Sequence, residues 1–403
     1  MISYDEALAR VLAAVESPLP SESVSLRDIQ GRALAADLLA PLNLPPFDNA
    51  MVDGFAVRLA TTSAASHEIP LTLPITGEVS AGSVPTRALR AGEAWRIYTG
   101  APIPEGCDAL VMVEDTEEDE DEPGWVTLRH SGFSGFIRKR GSDIVGGALA
   151  IAAGLSLGPG EIALMASLGV IEGSCPRMPR VGLLTTGDEL VPVGRPLGAG
   201  QIYNSNGPAL ETAIVRAGGI VAACIHARDT VAATEAAFDA LADCDVIVSS
   251  GGVSMGDHDH VKAVLEKRGG LDFWRIAIKP GKPLAFGKIG SALFFGLPGN
   301  PASSLVTFEL FVRPVLRKLM GQNDLLRMEI HATLATPLEH SRGRREFVRA
   351  SLEWRNGVAY ATPTGEQTSH RTHSLVGANA LLIAHENHGD YGNGDVLPAL
   401  LTG

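Results

Sequence analysis

The chain has few cysteines, no basic stripe and no apolar run long enough to cross a membrane, and each shortage removes a class of function. Its four cysteines, Cys107, Cys175, Cys224 and Cys244, are scattered without a CxxC pair. That spacing encodes neither a disulfide framework nor a zinc cluster. Lys and Arg total 33 against 46 Asp and Glu, a formal charge of −13 over 403 residues. With no cationic stripe, nucleic acid is excluded as a main partner. No apolar run approaches the ~20 residues that a membrane span requires. The opening MISYDEALARVLAAV carries acids where a secretory leader would carry a basic region. The expectation is a soluble, cytoplasmic protein with no membrane or nucleic-acid partner.

The residues that are present divide the chain into textures. Its length suggests roughly two to four domains, and 45% hydrophobic residues supply material for substantial cores. Residues 1–45 read as mainly helical, opened by a capping box at Ser3-Tyr4-Asp5-Glu6 and closed by the Pro-rich NLPPFDN. Residues 70–150 change to short β-rich runs broken by Gly and Pro. Within them Glu117–Glu122 reads as a solvated hairpin tip, because no EF-hand spacing of oxygen ligands is present. Residues 158–171 read as a helix, and 175–179 as a linker. From 180 to 320 hydrophobic strands alternate with amphipathic helices, which predicts a parallel, doubly wound sheet. Beyond Gly321 strands and turn signals return. The predicted class is α/β plus β, in several domains: a helical N-terminal and linking part (1–50 plus 142–176), an inserted, mostly β domain (51–141), a doubly wound α/β domain (177–322) and a C-terminal β domain (323–403).

Ligands of open parallel sheets bind at the C-terminal ends of the strands. The loops TTGDEL, HARD, SSGGVSMGDHD, IKPGKP and GLPGNP all fall there, so they are expected to converge on one edge. In GLPGNP, Asn300 suits an N-cap and Pro301 the first helical position, which would leave N–H groups near Ala302 and Ser303 facing the crevice. An ordinary capped helix reads the same way. In IKPGKP, Pro280 and Gly281 suit the centre of a type II turn, placing Lys279 and Lys282 within ~7 Å. Two ammonium groups so close need an anion between them, or water. Gly251 and Gly252 of SSGGVSMG allow close backbone approach to an anion. A dinucleotide fingerprint is excluded, because Gly158-Pro159-Gly160 has no acid at the ribose distance and Arg180 stands there instead. The acids Glu189, Asp229, Asp257 and Asp259 each follow a strand shortly afterwards. Carboxylates beside phosphate loops make sense when Mg²⁺ lies between them. The alternative of a zinc cluster in Asp-His-Asp-His is weaker, because adjacent residues rarely all face one ion. His258 and His260 read instead as the first residues of a helix.

Together and in order, PPFDNAMVDGFAV (45–57), YTGAPIPEGCDALV (98–111), TTGDEL, QIYNSN, SSGGVSMGDHD, AIKPGKP, GLPGNPASS, REFVR and TSHRTHSL resemble the molybdopterin molybdenumtransferase family, which includes the E domain of gephyrin. The resemblance spans essentially the whole chain. It implies insertion of molybdenum from molybdate into adenylylated molybdopterin, with AMP released and a divalent cation, Mg²⁺, assisting. It implies Asp53, Thr99, Glu189, Asp229 and Asp259 as catalytic residues, with Glu189, Asp229 and Asp259 holding the metal. It implies contacts to substrate from Gly251, Gly252, Ser254, Lys279, Lys282, Pro298, Pro301, Ser303, Arg344, Arg349 and Ser369. It further implies a molybdopterin-binding type of α/β domain, a homodimer whose clefts are shared between subunits, and the upstream adenylyltransferase as a partner. The family's usual NSAMDGYAV and GSHMLSSL appear here as NAMVDGFAV and TSHRTHSL. Adenylylation of molybdopterin, or a non-catalytic cofactor-binding scaffold, are the alternative readings.

Overall fold

The computed structural model describes residues 1–118, 123–252 and 260–402, without the side chains of residues 262, 263, 266 and 274. The chain forms two compact units: Met1–Ala36 with Ala153–Gly158 and Glu172–Gly403, and Asp37–Ala152 with Pro159–Ile171.

The first unit is built on a six-stranded sheet in the order Ile220–Ala227, Arg180–Thr186, Val246–Ser250, Ala292–Leu297, Pro283–Ile289, Gly269–Arg275. Alternate side chains of its central strands enter two cores. Val181, Leu183, Val246, Val248, Leu293 and Phe295 face one, while Leu184, Ile247 and Phe294 face the other. That period of two, buried on both sides, makes helices on both faces necessary. The sheet is mixed, which corrects the all-parallel expectation. The first four strands are parallel, but Pro283–Ile289 runs antiparallel to both its neighbours. The reason is connection length: only Gly290 and Ser291 separate it from Ala292–Leu297, and a parallel crossover needs about a dozen residues.

The last helix of this domain runs from Pro301 to Leu319 and widens to a π turn over Phe308–Val312. Pro314 lies just beyond that turn. It lacks an N–H, and its ring would crowd the carbonyl four residues back in a regular helix, so the wider turn accommodates it. The rest of the unit is a closed ring of five strands. Arg345–Arg355 pairs with Val358–Pro363, then Glu329–Leu334, Val396–Leu401 and Ala380–Ala384 follow, and the last pairs back to Arg345–Arg355. Ile278–Lys279 adds to its rim, with Lys279 opposite Glu346.

The N-terminal region corrects the helical expectation for residues 1–45. A helix covers only Tyr4–Ala13, after which Ser21–Ser25 pairs with Glu172–Pro176 and Leu38–Leu39 with Leu149–Ile151. The helix ends at Ala13, Pro18 and Pro20 keep the following segment from resuming it, and Ser21–Ser25 buries only Val24. Half of the capping box forms: Ser3 Oγ accepts from the Glu6 N–H at 3.1 Å, while the Glu6 carboxylate turns to Arg10 at 2.7 Å.

The second unit carries a six-stranded sheet in the order Ala109–Met112, Gly54–Val57, Ala94–Ile97, Leu71–Val79, Trp125–Leu128, Thr116–Glu118. The last two strands are the arms of the acidic hairpin, whose tip at 119–122 lies outside the described residues. The Asp-Gly of VDGFA has a physical reason. A Cβ on Gly54 would stand 2.0 Å from the Val111 carbonyl oxygen, so no other residue fits the paired strand. Asp53, just before it, accepts from both the N–H and the hydroxyl of Thr99, at 2.6 and 2.8 Å.

Candidate active site

The C-terminal edge of the mixed sheet opens into a cleft of ≈ 740 Å³, within the range of small-molecule sites. Loops after four strands line it, as the strand-end argument anticipated. Gly187 and Glu189 follow Arg180–Thr186, Asp229 follows Ile220–Ala227, Gly251 and Gly252 follow Val246–Ser250, and Pro298 and Pro301 follow Ala292–Leu297. IKPGKP reaches the lining only at its last residue, Pro283. Gly251 adopts φ +92°, and a Cβ there would press to 3.0 Å on Thr186, so glycine lets two strand ends close together.

The two carboxylates in the lining are held differently. A Cβ on Gly187 would lie 2.7 Å from Glu189 Oε2, so that carboxylate folds over the glycine of TTGDEL. Asp229 is locked to the neighbouring loop through Asp188. The N–H of Asp188 donates to Asp229 Oδ2, and the N–H of Asp229 donates back to Asp188 Oδ1, both at 3.3 Å. Among the described residues, the lining contains no Lys or Arg; His370 is its one basic side chain. No group of three or more His, Cys, Asp or Glu side chains suited to a metal occurs among the described residues. Two carboxylates with substrate phosphates still make up the usual oxygen set of Mg²⁺.

Asparagines from QIYNSN tie the cleft together, a role that the motif alone does not assign them. Asn206 donates to Ser250 Oγ at 2.8 Å and to the Gly299 carbonyl at 2.6 Å. Asn204 donates to Thr185 Oγ1 at 3.0 Å and accepts from the Gly207 N–H at 3.0 Å. The signal was available: two Asn residues flank the start of a helix whose first turn has no carboxylate. Asn side chains both donate and accept, which allows them to bridge loops.

Family models match in order along the chain: "MoeA N-terminal region (domain I and II)" over 2–169, "Probable molybdopterin binding domain" over 182–318 and "MoeA C-terminal region (domain IV)" over 331–402. A molybdopterin molybdenumtransferase of Haemophilus influenzae is 38% identical over 401 residues, covering 98% of each chain. The chain belongs to the molybdopterin molybdenumtransferase family. Within this family, molybdopterin molybdenumtransferase 2 of Mycobacterium tuberculosis is 39% identical over 94% of each chain. The solved molybdopterin biosynthesis MoeA protein of Pyrococcus horikoshii OT3 superposes with a TM-score of 0.86 at 28% identity, covering both chains fully.

Of the positions expected from the family, the cleft gathers Glu189, Asp229, Gly251, Gly252, Pro298 and Pro301. Asp53 and Thr99 meet each other in the second unit, and the Thr99 hydrogen bonds lower the Asp53 carboxyl below its usual range. Ser254 and Asp259, with Asp257 and His258, lie outside the described residues; His260 opens the helix His260–Arg268 as expected. The remaining positions are not in the cleft's lining. Ser303 is buried in the helix. The Ala302 N–H, expected to be free, donates to the Ser369 carbonyl at 3.3 Å, and Asn300 spends its amide on Ser369 Oγ at 2.9 Å instead of capping the helix. Ser369 thus sits on the helix start, while its neighbour His370 lines the cleft. Arg344 is half-buried at the start of the strand Arg345–Arg355.

The IKPGKP turn is also corrected. Its Lys279–Pro280 peptide is cis and Gly281 adopts φ +105°. Lys279 is not left facing Lys282. Its Nζ lies 3.0 Å from Oε1 of the buried Glu346, whose Oε2 meets His340 Nδ1 at 3.0 Å. Lys282 is exposed beside Pro283. Arg349 is 1% exposed. Its Nε donates to Ser374 Oγ at 3.0 Å, and it lines a different cavity.

Proposed function

We propose that the chain transfers molybdenum from molybdate to adenylylated molybdopterin in the cytoplasm, cleaving the pyrophosphate linkage and releasing AMP. Insertion of molybdenum into molybdopterin is the activity stated in the relatives' name. The observation that carries the finer reading is the pairing of Glu189 and Asp229 with the glycine-rich strand ends in a cleft whose described lining has no Lys or Arg. A pyrophosphate placed beside two carboxylates is repelled unless a divalent cation lies between them. Glu189 and Asp229, with Asp259, would hold Mg²⁺, which when bound supplies the charge that neutralises the phosphate oxygens.

The chain's own residues then have separable tasks. Asp188 orients Asp229. Asn206 and Ser250 fix the strand ends, and Gly251 and Gly252 leave room for backbone approach to phosphate. Lys282, with Lys279 held by Glu346, offers positive charge for molybdate. In this reading the chain has the four-part division inferred from its sequence, it works as a homodimer in which Asp53 of a second copy completes the cleft, and the adenylyltransferase that makes its substrate is a partner. The deciding experiment incubates the protein with adenylylated molybdopterin, Mg²⁺ and either molybdate or tungstate, then identifies the pterin by mass spectrometry. Metal-bearing pterin with stoichiometric AMP is expected. Adenylylation of molybdopterin at the expense of ATP would establish the alternative chemistry.

A further inference from the structure

A second cavity, of ≈ 240 Å³, lies in the first unit among the helix Asn206–Arg216, the helix Pro301–Leu319 and the strand ring. Its lining shares no residue with the cleft. Arg216, Arg313, Arg327 and Arg349 line it, against the single carboxylate of Glu309. The lining sets four guanidinium groups against one carboxylate, with Asp324 and Glu346 acting on Arg313 and Arg349 from beyond it, in a chain whose formal charge is −13.

Two of the four guanidinium groups are shielded from water. Arg313 and Arg349 are 7% and 1% exposed. Glu309 is shared, accepting from Arg327 Nε at 2.5 Å and facing Arg313 Nε at 3.4 Å. Arg349 Nη1 has no hydrogen-bond partner among the described residues. Burial, and then the neighbouring Arg327, pull Arg313 down to about 10. A buried cation without an anion is costly, and guanidinium forks match carboxylate and phosphate oxygens in particular. The remaining wall is mainly apolar, with Leu305, Val306 and Leu381 beside Thr212 and Thr402.

We propose that this cavity binds a small organic anion, its phosphate or carboxylate head against the arginines and its apolar body against Leu305 and Leu381. The site is separate from the transfer cleft and does not depend on the reaction assigned there. Phenyl phosphate is a suitable probe, titrated into the full-length protein by isothermal calorimetry at low salt. Saturable binding is expected, tighter than for inorganic phosphate and weaker at high salt. Arg216→Ala should weaken it by about tenfold, the loss of one charged hydrogen bond. Arg216 is exposed, so this variant is expected to fold; Ala213→Phe, which fills the cavity, should abolish binding. Absence of saturable binding, equal affinity for inorganic phosphate, or binding unchanged in both Arg216→Ala and folded Ala213→Phe would overturn the proposal. The last outcome would place the probe in the cleft.

Discussion

At the scale of single residues, the chemistry rests on a few side chains whose surroundings are unequal. Glu189 is exposed and folded over Gly187, so its charge contributes little to stability. Asp229 accepts from Asp188, a bond that Asn can also accept. Glu189→Gln and Asp229→Asn are therefore expected to cut turnover by roughly a hundredfold or more while changing stability by less than about 0.5 kcal/mol. Steady-state rates beside urea unfolding would check this, and normal turnover with unchanged Mg²⁺ dependence would remove the metal assignment. Lys282 is the exposed lysine of its turn. Lys282→Ala should raise the molybdate concentration needed for half-maximal rate, more so at high salt, whereas a merely solvated turn would leave that concentration unchanged.

At the scale of elements, buried charge decides which contacts matter. Glu346 is 2% exposed, with Lys279 on one oxygen and His340 on the other. His340 passes the network on, its Nε2 meeting the His385 carbonyl at 3.1 Å. Glu346→Gln removes a buried charge from between two basic groups; with Lys279 41% exposed and able to turn to water, it should cost about 1–3 kcal/mol, measurable by urea unfolding; a loss below about 1 kcal/mol would mean the network is incidental. In the second unit, Arg87 holds Glu93 at 2.5 and 3.0 Å and lowers its carboxyl from 4.5 to about 2. A depressed carboxyl stabilises the folded state above its unfolded value and loses that contribution as pH falls. The stability gap between the natural protein and Glu93→Gln should thus be full at pH 6 and shrink steadily from about pH 4.5 toward pH 2, as followed by thermal unfolding. A gap independent of pH would separate Glu93 from the acid response.

At the scale of the whole molecule, the proposed homodimer has a consequence that no single-chain site shares. Asp53→Asn and Glu189→Gln subunits, each inactive alone, are mixed under conditions that exchange subunits. Random pairing makes about half the dimers mixed, each with one intact cleft of two, so activity should return to about a quarter of the natural protein. No recovery after verified exchange would show that each cleft is completed within one chain.

Much of this was legible in the sequence, because local rules act over short distances. The alternation of strands and helices from 180 onward, the hairpin arms beside the acidic run and the placement of four loops on one sheet edge follow from periodicity and turn residues. The family motifs point to Glu189, Asp229, Gly251 and Gly252 without any coordinates. One correction is itself local: the two-residue turn before Ala292 is a hairpin signal that the strand–helix alternation hides, and it reverses a strand that reads as parallel. Only tertiary structure decided the rest, because long-range partners compete with local preference. The Ser369 carbonyl took the Ala302 N–H that the helix start alone would leave open. Glu346, 67 residues beyond Lys279 in the chain, replaced the expected lysine pair with an ion pair. Arg349 went to a different cavity from the cleft. Spacing along a chain specifies which groups can fold into an element, but the partner of a buried charge is set by what the packed elements bring within hydrogen-bonding distance.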